Sequence, residues 1–151
     1  QYGQDLIKSN PRDIARYADG YESFNRNERY TFWAHFISLM AKRESNFNPD
    51  TKYVESFTDS NGNKVVSRGL LQLSLRSSKN YNCPVKVEQD LHSAKKNLIC
   101  GVRILNHWIK QDKVISASSG SEWRGGARYW AVLRGNKKSH AYIKSHSLSV
   151  F

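Results

Sequence analysis

Between Asn27 and Pro49 the apolar residues Phe32, Trp33, Phe36, Ile37 and Met40 recur at three- and four-residue steps, the period of an amphipathic α-helix. Asn27 can cap such a helix, the periodic run carries it from Glu28 to about Ser45, and Pro49 marks that it has stopped. A helix with this much aromatic surface on one face must bury that face against other elements, so the chain is committed to a core. Positions 33, 37, 40 and 44 fall on one side of the helix, and the stripe therefore runs on into Glu44. A carboxylate withdrawn from water there has a raised pKa and keeps its proton near neutral pH, as a general acid must. The same spacing also lets Glu44 turn out to solvent from the helix end.

The remaining chain reads as short helices around one β insert. Asn10-Pro11 is a helix-start pair, and a helix is expected from Pro11 toward Phe24. From Lys52 to Val66 the pattern changes: Tyr53, Phe57, Val65 and Val66 flank a turn containing Asn61-Gly62, which predicts a small hairpin or an irregular loop. Gly69 opens an apolar run read as a helix. Ser93 caps a helix to about Lys110, with Leu98, Val102, Leu105 and Ile109 on one face. The stretch Ser116–Ser121 reads as a loop, and helices are expected over Trp123–Leu133 and Ser139–His146.

A chain of 151 residues suggests one domain, large enough to bury roughly 70% of the surface its unfolded form exposes. Residues 1–27 would form an N-terminal extension packed on it. No apolar run approaches the ~18 residues needed to span a bilayer. The chain as it stands carries no leader, which in an exported protein is expected to have been removed. Twenty-four Lys and Arg against 13 Asp and Glu give a net charge of +11, which attracts polyanions. The charge is spread along the chain, as on a solvated surface. Cys83 and Cys100 are either two separate thiols or one disulfide; an exported setting favours the bridge. Two cysteines without clustered partners argue against a zinc site, and no metal or organic cofactor is implied.

Four segments, in order, resemble the soluble lytic transglycosylase and goose-type lysozyme family. Glu44-Ser45-Asn46-Phe47-Asn48-Pro49 is similar to its E-S-x-F-x-P motif, and Ser67-Arg68-Gly69-Leu70-Leu71-Gln72-Leu73 to its S-x-G-L-x-Q segment. The run from Asn97 to Leu105 is similar to its N-[IL]-x-x-G-x-x-x-L helix, and Ala127-Arg128-Tyr129-Trp130-Ala131 stands where the family has A-x-Y-N-A. The resemblance covers roughly residues 30 to 146. It implies a mainly α (α+β), lysozyme-like fold with a small β-hairpin beside a catalytic cleft, and it makes Glu44 the catalytic acid. It further implies that Ser45, Ser67, Gly69 and Gln72 line the cleft and meet the sugars, and that Tyr129 bonds near Glu44. Trp130 departs from the family's asparagine and is expected in the core.

The family divides on how the reaction ends. A lytic transglycosylase closes a 1,6-anhydro ring on muramic acid with one glutamate, whereas a goose-type lysozyme uses water held by a second carboxylate. An inverting glycosidase spaces its two carboxyls about 6.5–9.5 Å apart to leave room for that water. Glu55 and Asp59 are the candidates here. Asp59 precedes Ser-Asn-Gly and reads as a turn residue, so Glu55 is the expected second carboxylate and hydrolysis of the β-1,4 bond between N-acetylmuramic acid and N-acetylglucosamine the expected reaction. Glu55 could also read the ammonium of de-N-acetylated glucosamine, as in a secreted lysozyme specialised for deacetylated wall.

The expected partners are peptidoglycan glycan strands and anionic wall polymers, met as a monomer, secreted or in the periplasm, with binding that weakens as salt rises. A nucleic-acid module would need a helix-turn-helix, RNP or zinc-finger pattern, and none is present. A catalytically dead wall-binding protein would have lost its acid, but Glu44 remains. His35 and His107 lie in expected helices and read as packed or surface residues. No serine or cysteine stands in a nucleophile motif.

Overall fold

The computed structural model describes residues 2–151. The chain forms two compact units, residues 1–43 with 104–151 and residues 44–103. Five α-helices, α1 (Gln4–Lys8), α2 (Arg26–Ser45), α3 (Leu75–Asn80), α4 (Ala94–Asp112) and α5 (Lys138–Ser147), alternate with two antiparallel hairpins, β1 (Lys52–Thr58) with β2 (Lys64–Arg68) and β3 (Ser116–Ser119) with β4 (Glu122–Gly125). Among the described residues no helix is long and apolar enough to cross a membrane. The fold is thus mainly helical with small β inserts, as expected.

In the first unit the N-terminal segment is part of the core. Leu6, Ile7, Ile14, Tyr17, Ala18 and Tyr21 are buried together with Phe32, Trp33 and Phe36 of α2. The Trp33 indole donates 2.8 Å to the Tyr21 hydroxyl, which gives both amphipathic rings a partner in the dry interior. Helix α2 begins two residues earlier than the sequence suggested, at Arg26 instead of Glu28. Asn25, not Asn27, is the cap: its Oδ1 accepts from the amides of Asn27 and Glu28, and Glu28 Oε2 accepts from Asn25 N at 2.7 Å, a reciprocal capping box.

The helix expected from Pro11 to Phe24 is absent. Two single 3₁₀ turns stand there, Ile14–Arg16 and Tyr21–Ser23, because Asp13 is tied elsewhere: its carboxylate accepts from Ile115 N at 2.7 Å and Ser116 N at 2.9 Å. The segment read as a loop after Ile115 is hairpin β3–β4, with Gly120 in its turn. The helix expected over Trp123–Leu133 gives way to β4 and two 3₁₀ turns. Gly125 breaks it, with φ 64°, where a Cβ would lie 2.2 Å from Val114 O.

The second unit holds hairpin β1–β2, α3 and the first half of α4. The apolar run after Gly69 is a closed turn, not a helix. Arg68 and Leu73 exchange both backbone bonds, at 2.8 and 3.0 Å, and helix α3 begins only at Leu75, capped by Ser74 Oγ. Cys83 and Cys100 form a disulfide.

Candidate active site

Glu44 is the penultimate residue of α2, half-buried, and the chain leaves the helix abruptly beyond it. Asn46 and Phe47 both hold left-handed backbone, φ 51° and 64°, a region costly for residues with a Cβ and frequent at functional sites. Ser45 fixes this exit: its hydroxyl donates to Leu70 O at 2.9 Å, and its carbonyl accepts from Asn48 N at 3.0 Å. The Glu44 carboxyl is pushed up to about 7, first by burial and then by the negative charge of Glu55. Burial removes the water that would stabilise its anion, and a neighbouring anion discourages a second one.

Glu55 lies on β1, the half-buried residue of an otherwise exposed strand. The hairpin is regular from Lys52↔Arg68 to Val54↔Val66, then irregular up to Thr58↔Lys64. Glu55 sits in the bulged stretch, where strands commonly re-aim a side chain. Buried Ser67, on β2, donates from Oγ to Glu55 Oε1 at 2.7 Å. Glu44, Glu55 and Ser67 therefore form one interacting set. A carboxyl raised by burial and by a second carboxylate beside it is the arrangement in which acid and base roles can separate.

The turn behind Ser67 is braced by Asn97 of α4, which is fully buried. Its amide oxygen accepts from Leu71 N at 2.9 Å, and its nitrogen donates to Arg68 O at 3.0 Å and Leu91 O at 2.9 Å. One helical turn on, Gly101 leaves space for Leu71: a Cβ there would lie 2.2 Å from Leu71 Cδ1. Gly69, at φ 78°, approaches the same bracket, where a Cβ would meet Leu91 O at 2.1 Å and Asn97 Nδ2 at 2.4 Å. Gln72, at φ 51°, donates from Nε2 to Thr51 O at 3.1 Å and Gly69 O at 2.9 Å. Gly69, Gln72 and Asn97 together hold the turn that carries Ser67.

Asp59 accepts from Asn61 N and Asn63 N, both at 2.9 Å, and so closes the hairpin turn. Tyr129 belongs to the first unit and packs edge-on against Trp130, ring centroids 4.7 Å apart. Trp130 is buried in that unit's core. Asn97 had no role assigned from the sequence. The signal was an amide on the face of α4 shared with Cys100, Gly101 and Ile104, where a buried polar side chain must find partners. Among the described residues no group of His, Cys, Asp and Glu could hold a metal ion.

Residues 22–133 match the Transglycosylase SLT domain family. None of the curated proteins compared with the chain matches it. Three solved structures of Bd0314 DslA match: wild-type form 2 and a glutamate-to-glutamine mutant, each with a TM-score of 0.93, and a second such mutant with a TM-score of 0.92. In each case the identity is 43%, and the match covers 99% of this chain and 84% of that one. With the family matched over most of its length and a relative this similar, the chain belongs to the Transglycosylase SLT domain family, lysozyme-like enzymes and lytic transglycosylases that act on peptidoglycan.

Proposed function

We propose that the protein hydrolyses the β-1,4 bond between N-acetylmuramic acid and N-acetylglucosamine, with Glu44 as general acid and Glu55 as the second carboxylate. The observation that carries this reading is the Glu44 carboxyl, held protonated near neutral pH by burial and by the charge of Glu55. Glu44 gives its proton to the glycosidic oxygen as the C1–O bond breaks. Water attacks C1 and loses its proton to Glu55, which Ser67 holds in place, and solvent returns both carboxyls to their starting states. The two glutamates replaced in the Bd0314 DslA structures stand 11 positions apart in that chain's numbering, the spacing of Glu44 and Glu55 here.

The family's name supports a second reading, in which the muramic acid 6-hydroxyl replaces water and leaves a 1,6-anhydro ring. Mass spectrometry of digested peptidoglycan separates the two, since the products differ by one water. Reducing ends are expected, and Glu44→Gln should abolish them. Exclusively anhydro ends would overturn hydrolysis. The negative charge of Glu55 also fits the ammonium of de-N-acetylated glucosamine, and digestion of acetylated and deacetylated wall side by side tests that preference.

In this reading Ser67 and Gln72 line the sugar site together with Ser45 and Gly69, and the chain acts as a monomer. The disulfide and the wall substrate favour a secreted or periplasmic location. The charge of +11 favours anionic wall polymers over nucleic acid as further partners.

A further inference from the structure

Strand β1 exposes three large apolar residues, Tyr53 at 61%, Val54 at 54% and Phe57 at 58%. They stand on either side of Glu55, and their places in the hairpin differ. Tyr53 pairs with Ser67 across the ladder, and Val54 with Val66. Directly opposed residues project from the same face of a sheet, and successive residues from opposite faces. Ser67 reaches Glu55 by a 2.7 Å hydrogen bond, which puts Tyr53, Glu55 and Ser67 on one face and Val54 on the other. The Tyr53 face is the one whose carboxylate acts on Glu44.

We infer that the Tyr53 ring is a stacking platform for a pyranose of the glycan strand, the sugar adjoining the bond served by Glu44 and Glu55. A β-linked pyranose presents a patch of axial C–H groups. The negative face of an aromatic ring attracts such a patch, and tyrosine keeps its hydroxyl in water while it does so. Same-face neighbours on a strand stand about 7 Å apart, a spacing of the same order as one sugar unit. A ring two residues from Glu55 therefore meets the sugar next to the one Glu55 attends. The fit to a sugar rather than to a protein partner rests on continuity: Tyr53 shares its face with the Glu55–Ser67 pair and not with a separate apolar patch.

This inference rests on the glycan-cleaving reading above, and the experiment keeps the two apart by measuring binding without turnover. Glu44→Gln protein is titrated calorimetrically with a purified tetrasaccharide of alternating N-acetylglucosamine and N-acetylmuramic acid. Adding Tyr53→Ala should raise Kd about tenfold, the scale of one aromatic contact. Tyr53→Phe and Tyr53→Trp should restore it, and Val54→Ala, on the opposite face, should leave it unchanged. Near-ultraviolet circular dichroism checks that each variant folds, which the exposure of Tyr53 favours. An unchanged Kd for Tyr53→Ala overturns the inference, as does a loss in Tyr53→Phe equal to that in Tyr53→Ala. So does a protein that binds no tetrasaccharide. If binding depends on the ring while the wild type leaves peptidoglycan intact, the platform stands and the proposed reaction falls.

Discussion

Ser67 Oγ donates to Glu55 Oε1 at 2.7 Å, and through Glu55 this hydroxyl reaches the electrostatics of Glu44. A hydroxyl bonded to an ionised group is worth about 1.5–3 kcal/mol. Ser67 is buried on a strand, so its removal frees Glu55 without exposing new surface. Ser67→Ala should lower kcat on peptidoglycan about tenfold or more and lower the thermal midpoint by roughly 3–12 °C, at about 2–4 °C per kcal/mol. Ser67→Thr keeps the hydroxyl and should recover most of the rate. Steady-state turbidity assays on both variants, beside a melting curve, check this; full activity in Ser67→Ala would refute it.

In the proposed reaction the alkaline limb of the pH profile follows from Glu44. Its carboxyl is raised from 4.5 to about 7, by burial first and by Glu55 second. The acid works only while protonated, so kcat should fall as pH rises through about 7. Glu55→Gln removes the second cause, and what activity it retains should decline from a lower pH. The same shift fixes the sign for stability. A folded-state pKa above the unfolded value stabilises fully below pH 4.5, and that contribution is lost as pH rises through about 7. The difference is on the order of 3 kcal/mol. Glu44→Gln, which never ionises, should therefore be more stable than the wild type above pH 7, and the gap should close below pH 4.5. Urea titrations at pH 4 and pH 8 measure it.

Helix α2 and its carboxylate were legible because one periodic stripe of aromatics runs into Glu44, and hairpin β1–β2 because Asn61-Gly62 separates two apolar arms. The closed turn after Gly69 was not legible. Its apolar composition suits a helix, and only the left-handed backbone at Gly69 and Gln72 and the bracket from Asn97 forbid one. Likewise Pro11–Phe24 has helix-compatible residues, but Asp13 spends its carboxylate on the distant backbone of Ile115 and Ser116. In both cases a long-range hydrogen bond overrides local propensity, and such bonds leave no mark on a window of neighbouring residues. Glu55 was legible as a candidate by position alone. Its bond to Ser67 depends on the hairpin register and bulge, which the sequence does not specify.

Asn97 is the brace whose loss should be felt most. It is fully buried and satisfies Leu71 N, Arg68 O and Leu91 O with one amide. Asn97→Ala removes these three bonds from a dry interior, where each lost bond costs on the order of 1 kcal/mol and more where the group keeps no other partner; Arg68 O keeps the one from Leu73 N. A total loss of about 3–4 kcal/mol is expected by denaturant unfolding. Asn97→Asp keeps the shape but turns the donor toward Leu91 O and Arg68 O into an acceptor, and it should be no better. A loss below 1 kcal/mol in both variants would mean that the turn is held without this residue.

The Cys83–Cys100 bridge should contribute stability without contributing chemistry. It closes a loop of 17 residues, for which the chain-entropy account gives on the order of 3 kcal/mol. The loop contains buried Val85 and Leu91, and the Leu91 carbonyl is one of those that Asn97 engages, so the bridge restrains part of the bracket beneath the Ser67 turn. Glu44, Glu55 and Ser67 all lie outside the closed loop. Replacing both cysteines by serine should lower the melting point by roughly 6–12 °C, at about 2–4 °C per kcal/mol for a chain of this size. At temperatures well below that midpoint kcat should stay within about twofold of the wild type, because the residual population of unfolded chain is small. A double variant that melts like the wild type would show that the unfolded chain gains no freedom from the cut. One that stays folded yet loses its rate would show that the bridge positions Ser67 through the bracket.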